Sequence, residues 1–142
     1  MEPGIFGTII GGLSVFLLSQ FLYLFVFKPI VELKETIAKC ATVLMYFANI
    51  YMNPGLGSGE TFSEMNKEMR MNAGQLRAKA SVPLLYWLFR IPFGSPSREN
   101  IIQASKWMIG ISNITSSDKP EQFKVGQELR KNIESALKIE IS

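Results

Sequence analysis

The sequence predicts an all-α protein: one N-terminal transmembrane helix followed by a helical bundle of about four helices. Three observations lead there. An uncharged run of 24 residues extends from Gly4 to Phe27, apolar residues recur at three- and four-residue steps through most of the remaining chain, and loops rich in Pro, Gly and Ser separate those stretches.

The first run, "GIFGTIIGGLSVFLLSQFLYLFVF", has Tyr23 as its one ionisable side chain. As a helix it would cover about 36 Å, enough for a hydrocarbon layer of about 30 Å with some tilt. A cleaved secretory leader needs a basic start, a shorter apolar core and a small-residue cleavage site; here Met-Glu-Pro precedes the run and no such site follows. A core helix of a soluble protein rarely stays uncharged for so long. All 15 Lys and Arg lie at or after Lys28. The positive-inside rule then predicts a single-pass protein of the cell (inner) membrane, N-terminus outside, with residues 1–28 as the anchor and 29–142 as a cytoplasmic helical domain.

At about 100° per residue, Phe6, Ile10, Leu13, Leu17, Phe21 and Leu24 share one arc, the expected lipid face. Gly4, Gly7, Gly11 and Ser14 are read as a separate small-residue face, with Thr8, Gly12 and Ser19 on the adjoining strip. Gly7 and Gly11 have GxxxG spacing, and small residues allow two helices to approach closely in lipid. Gln20, read as lying off the lipid arc, adds an amide that would seek an interhelical partner. These five residues, Gly4, Gly7, Gly11, Ser14 and Gln20, form the expected helix–helix interface, toward a second copy or another membrane protein.

Beyond the run, Pro29 suits the first turn of a new helix and biases Lys28 away from helical angles, so a kink or break is expected there. A long amphipathic helix then carries Ile30, Leu33, Ile37, Ala41, Leu44, Ala48 and Tyr51 to "NPG" at Asn53. After the loop "PGLGSG", Thr61 and Glu64 have capping-box spacing, and Phe62, Met65, Met69, Leu76 and Ala80 repeat on a helix expected to return antiparallel. Ser95 or Ser97 would cap a third helix with Pro96 in its first turn and Ile101, Ile102, Ser105, Met108, Ile109 and Ser112 along it. A last helix from Pro120 carries Phe123, Leu129, Ile133 and Leu137, weakened by Gly126.

"SVPLLYWLFRIPFG" is the second apolar stretch. Residues 82–93 are too few to cross a bilayer as a helix, and Pro83, Arg90 and Pro92 interrupt them. Two readings stand: a plug of the bundle core, or a wedge at the membrane interface with Tyr86 and Trp87 as amphipathic anchors and Arg90 near lipid phosphates.

Chemistry is sparse. The chain has no His and one Cys, Cys40, which excludes imidazole or paired-thiolate metal sites, His-based acid–base catalysis and an intrachain disulfide. Cys40 lies among Ala and Thr and reads as a small buried residue. Glu32, Glu35, Glu60, Glu64, Glu68 and Glu99 all fall at solvated-looking positions, unsuited to a paired-carboxylate mechanism. "GLGSG" lacks the preceding strand and following Lys-Ser or Lys-Thr of a phosphate loop, and the Met residues read as adaptable packing. The net charge of +3 is spread among acids, so nucleic acid is not an expected partner. No enzyme, cofactor or metal is expected. The segments "YFANIYMNPG", "LRAKA", "PSRENI" and "IGISN" resemble a group of small uncharacterised prokaryotic single-pass membrane proteins with a helical cytoplasmic domain. That resemblance implies the architecture and no activity. The expected function is a non-catalytic, membrane-tethered interaction module or accessory subunit of a membrane complex. A membrane-acting effector or pore-forming oligomer is the alternative.

Overall fold

The computed structural model describes residues 3–81, 92–114 and 120–141. Helix α1 covers Pro3–Leu22, a π turn follows over Tyr23–Phe27, and α2 continues over Lys28–Tyr46. Together they make one unbroken helix, Gly4–Tyr46, of 43 residues. The break expected at Pro29 is absent. In the π turn the Lys28 N–H donates to the carbonyl of Tyr23, five residues back. Proline has no N–H to offer, and in a regular α-turn its ring would press on the carbonyl four residues earlier, so a widened turn just ahead of it lets the helix pass.

The sequence determines where this helix meets the rest of the chain. Residues 4–25 are exposed on every side, and burial begins at Val26 and continues through Ile30, Leu33, Ile37, Cys40 and Leu44. At Phe47 the backbone leaves helical geometry (φ −94°, ψ 8°), and a short helix α3, Ala48–Met52, resumes in a new direction. The expected single helix to Asn53 is therefore two. Phe47 continues the three- and four-residue spacing of the buried series Ile30, Leu33, Ile37, Cys40, Leu44 and Tyr51 and is 2% exposed, so the change of backbone geometry leaves the core stripe intact.

A 3₁₀ turn over Pro54–Leu56 leads to α4, Gly59–Lys79. Its cap is Ser58, whose Oγ accepts from the Thr61 N–H at 3.3 Å and lies 2.7 Å from the Thr61 hydroxyl. The Thr61–Glu64 capping box gives way to a cap three residues earlier, because Gly59 and Glu60 join the helix. Phe62, Met65, Met69, Leu76 and Ala80 are all buried as their spacing predicts. The helix runs antiparallel to α2: Lys79 at its end pairs with Glu32 near the start of α2, and mid-helix Asn72 lies against mid-helix Cys40.

Helix α5, Arg98–Ser112, is capped by Ser97, which accepts from the Asn100 N–H at 3.1 Å; Pro96 lies ahead of the cap, outside the first turn. Ile101, Ala104, Met108 and Ile111 fill its inner face. Helix α6, Pro120–Leu137, ends in a left-handed Lys138 (φ 56°), and the Ile139 N–H returns to the carbonyl of Glu134 at 3.1 Å. That is a Schellman ending with a lysine where glycine is usual. Ile133 and Leu137 are buried as expected, whereas Phe123 stays 37% exposed.

Helix α4 packs between α2 and α5, while α6 packs on α5 and α3. A single core results, built on Leu33, Leu44, Met65, Met69, Leu76, Met108, Ile111 and Ile133. Each such side chain contributes about 1.5–3 kcal/mol by leaving water.

Candidate functional site

The candidate site is the long helix itself, where it leaves the core. Of its most apolar 18-residue stretch only 6% is buried, whereas a core helix of a soluble protein would be mostly covered. Its hydroxyls are satisfied within the helix: Thr8 donates to the Gly4 carbonyl at 2.9 Å, Ser14 to Ile10 at 2.8 Å and Ser19 to Val15 at 2.8 Å. Such internal bonding is what a polar side chain needs where no water is available.

Gly4, Gly7, Gly11 and Ser14 share a face, and a side-chain carbon built on any of the three glycines would meet nothing within 4 Å. The face is open to close approach by another helix. Gln20 stands nine residues after Gly11, about half a turn away at helical spacing, so it belongs to the opposite side. One flat contact cannot use both. Tyr86, Trp87 and Arg90, the expected membrane-interface residues, lie outside the described residues. Their flanks are placed: Ala80 follows the Lys79–Glu32 pair, and the Phe93 ring stands edge-on to Phe27 with centroids 6.0 Å apart.

The start of α2 carries the charge that meets this end. Glu32 accepts from Lys79 and stands 4.0 Å from Lys28. The Lys79 hydrogen bond, aided by its charge, holds the Glu32 carboxyl below its ordinary range. Lys34 places its ammonium 6.0 Å from the centre of the Phe93 ring.

Two titratable groups sit in the core. The Cys40 thiol is fully buried and points toward the Asn72 carbonyl at 3.9 Å; burial pushes its pKa up to about 12. Tyr51 donates its hydroxyl to the Leu44 carbonyl at 3.1 Å, and burial raises it to about 12 as well. Both are neutral at physiological pH, and the thiolate that nucleophilic chemistry requires is suppressed. An open groove between α2 and α4 is lined by Lys39, Thr42, Val43, Glu68, Met71 and Gln75 among others. Among the described residues no three His, Cys, Asp or Glu side chains group as metal ligands would.

Sequence reasoning missed the role of Gly126, read there as a weak point in the last helix. A Cβ at Gly126 would stand 2.6 Å from the carbonyl oxygen of Tyr51, so the glycine is what lets α6 lie against the backbone of α3. No family model, no curated protein and no solved structure matches the chain. The resemblance carried by the four segments rests on those segments alone.

Proposed function

We propose that the protein is a non-catalytic, membrane-tethered helical module, an accessory subunit that joins a membrane complex or a second copy of itself through its N-terminal helix. The observation that carries this reading is the helix Gly4–Tyr46, bare along its apolar part and part of the core beyond Val26. A cleaved leader would be expected to end before the folded domain begins, but here apolar run and domain share a turn of helix. Lys28, Lys34 and Lys39 follow the span closely, which supports a cytoplasmic domain at the cell (inner) membrane. Membrane lipids are then its first partner.

The contact we assign to the span is the Gly4, Gly7, Gly11 and Ser14 face. Gly7→Leu together with Gly11→Leu should weaken association in a membrane-based dimerisation assay of the full chain. Unchanged association would remove this face as the contact. Size measurement in detergent, with the micelle subtracted, separates a defined homo-oligomer from a monomer that needs another protein.

A further inference from the structure

The end of the span and the beginning of the core are the same turn of helix. Val26 falls within the uncharged run, yet it is 1% exposed and belongs to the core with Ile30 and Leu33. No linker separates domain from span, so the near end of the domain lies at the level where the apolar run stops.

Three apolar side chains are exposed at that end: Phe27 at 45%, Val31 at 53% and Phe93 at 37%. Lys28 and Lys34 are exposed beside them, while the Glu32 carboxylate is taken up by Lys79. Glu35, also exposed, shares the strip of Val31 and Lys28 but lies about 6 Å further from the span than Val31 along the helix axis. The headgroup layer of one leaflet is about 5–7 Å deep. At about 1.5 Å per residue, Lys28 and Val31 come within about 6 Å of Phe27 along the axis, and Lys34 within about 11 Å. A lysine stem reaches back over that remaining distance. Aromatic rings and cations at one level are the composition that the interface favours.

We propose that this end of the domain, Phe27, Val31 and Phe93 with Lys28 and Lys34, is a lipid-binding surface seated in the headgroup layer of an anionic leaflet. The inference rests on the reading of α1 as a membrane span. Continuity with that span selects the bilayer as the occupant, and the exposed ammonium groups of Lys28, which shares Glu32 with Lys79, and of Lys34 select acidic headgroups.

The test uses the full chain in vesicles of phosphatidylcholine, with and without phosphatidylglycerol, carrying a nitroxide at Leu13→Cys, Val31→Cys, Phe93→Cys or Leu56→Cys in turn. The wild-type chain, whose Cys40 is buried, sets the background. Accessibility to oxygen and to a water-soluble nickel chelate reports depth. The expected result is an oxygen-to-nickel ratio at Val31 and Phe93 several-fold above that at Leu56, which is 80% exposed beyond the far end of α2. The ratio should rise further with phosphatidylglycerol, and K28Q with K34Q should abolish that rise. Water-like values at both Val31 and Phe93, with lipid-like values at Leu13, overturn this inference and leave the span standing. Shielding from both reagents with spin–spin broadening means a second copy covers the surface, which also overturns it. Water-like values at Leu13 overturn the span and this inference together.

Discussion

The carbonyl oxygen of Tyr51 lies 2.6 Å from the point where a Cβ on Gly126 would stand, so α3 and α6 meet backbone to side-chain-free backbone. Backbone cannot swing aside as a side-chain tip can. Gly126→Ala gains about 1 kcal/mol in helix propensity and loses about 2–3 kcal/mol to overpacking. A net destabilisation of about 1–2 kcal/mol is expected in urea denaturation of the full chain in detergent.

Gly110 supplies the contrast. Its Cβ would stand 3.1 Å from Cδ1 of Leu129, the movable end of a half-buried side chain. Gly110→Ala should therefore be stabilising by about 0.5 kcal/mol in the same measurement, and a loss comparable to Gly126→Ala would refute the distinction between tip and backbone.

Lys138 holds a left-handed φ of 56° at the end of α6, where a residue with a Cβ is strained. Its side chain is exposed and carries none of the core. Lys138→Gly should raise stability by about 1 kcal/mol, read as a higher denaturation midpoint with unchanged slope.

Burial raises the Cys40 pKa to about 12, so at pH 8 the native thiol should react with a thiol-specific disulfide reagent far more slowly than the same protein in denaturant. Prompt stoichiometric reaction of the folded chain would contradict the packing of α2 on α4.

The Glu32–Lys79 pair ties the start of α2 to the end of α4. Because the Glu32 pKa is lowered on folding, its contribution is present above the ordinary glutamate value and is lost as pH falls through the lowered one. Melting temperatures of wild type and Glu32→Gln should differ slightly near neutral pH and converge in acid. A difference that grows on acidification would reverse the sign and refute the pairing.

Much of this architecture was legible because burial here follows helical period. Ile30, Leu33, Ile37 and Leu44 on one helix, and Met65, Met69 and Leu76 on the next, are core residues that spacing alone identifies. What spacing could not give were the places where two helices negotiate. The end of α2 at Phe47 falls inside a buried stripe whose spacing runs on unbroken to Tyr51, so spacing alone shows no boundary there. Ser58 outcompetes Thr61 as a cap because glycine and glutamate can both enter a first helical turn. The widened turn ahead of Pro29 is a backbone answer to a local clash, invisible to a rule that treats proline as a boundary. The candidate interface is harder still, since Gly4, Gly7 and Gly11 acquire meaning only from a partner helix, and half-turn bookkeeping already separates Gln20 from them.

One helix that is both the apolar run and the first core element leaves the domain without a swivel. On the proposed reading of that run as a span, whatever grips its glycine face also sets the domain's compass bearing. Any twist imposed on the span arrives at Leu33 and Cys40 as a twist of the core itself, and two gripped copies would hold their domains at a defined mutual azimuth.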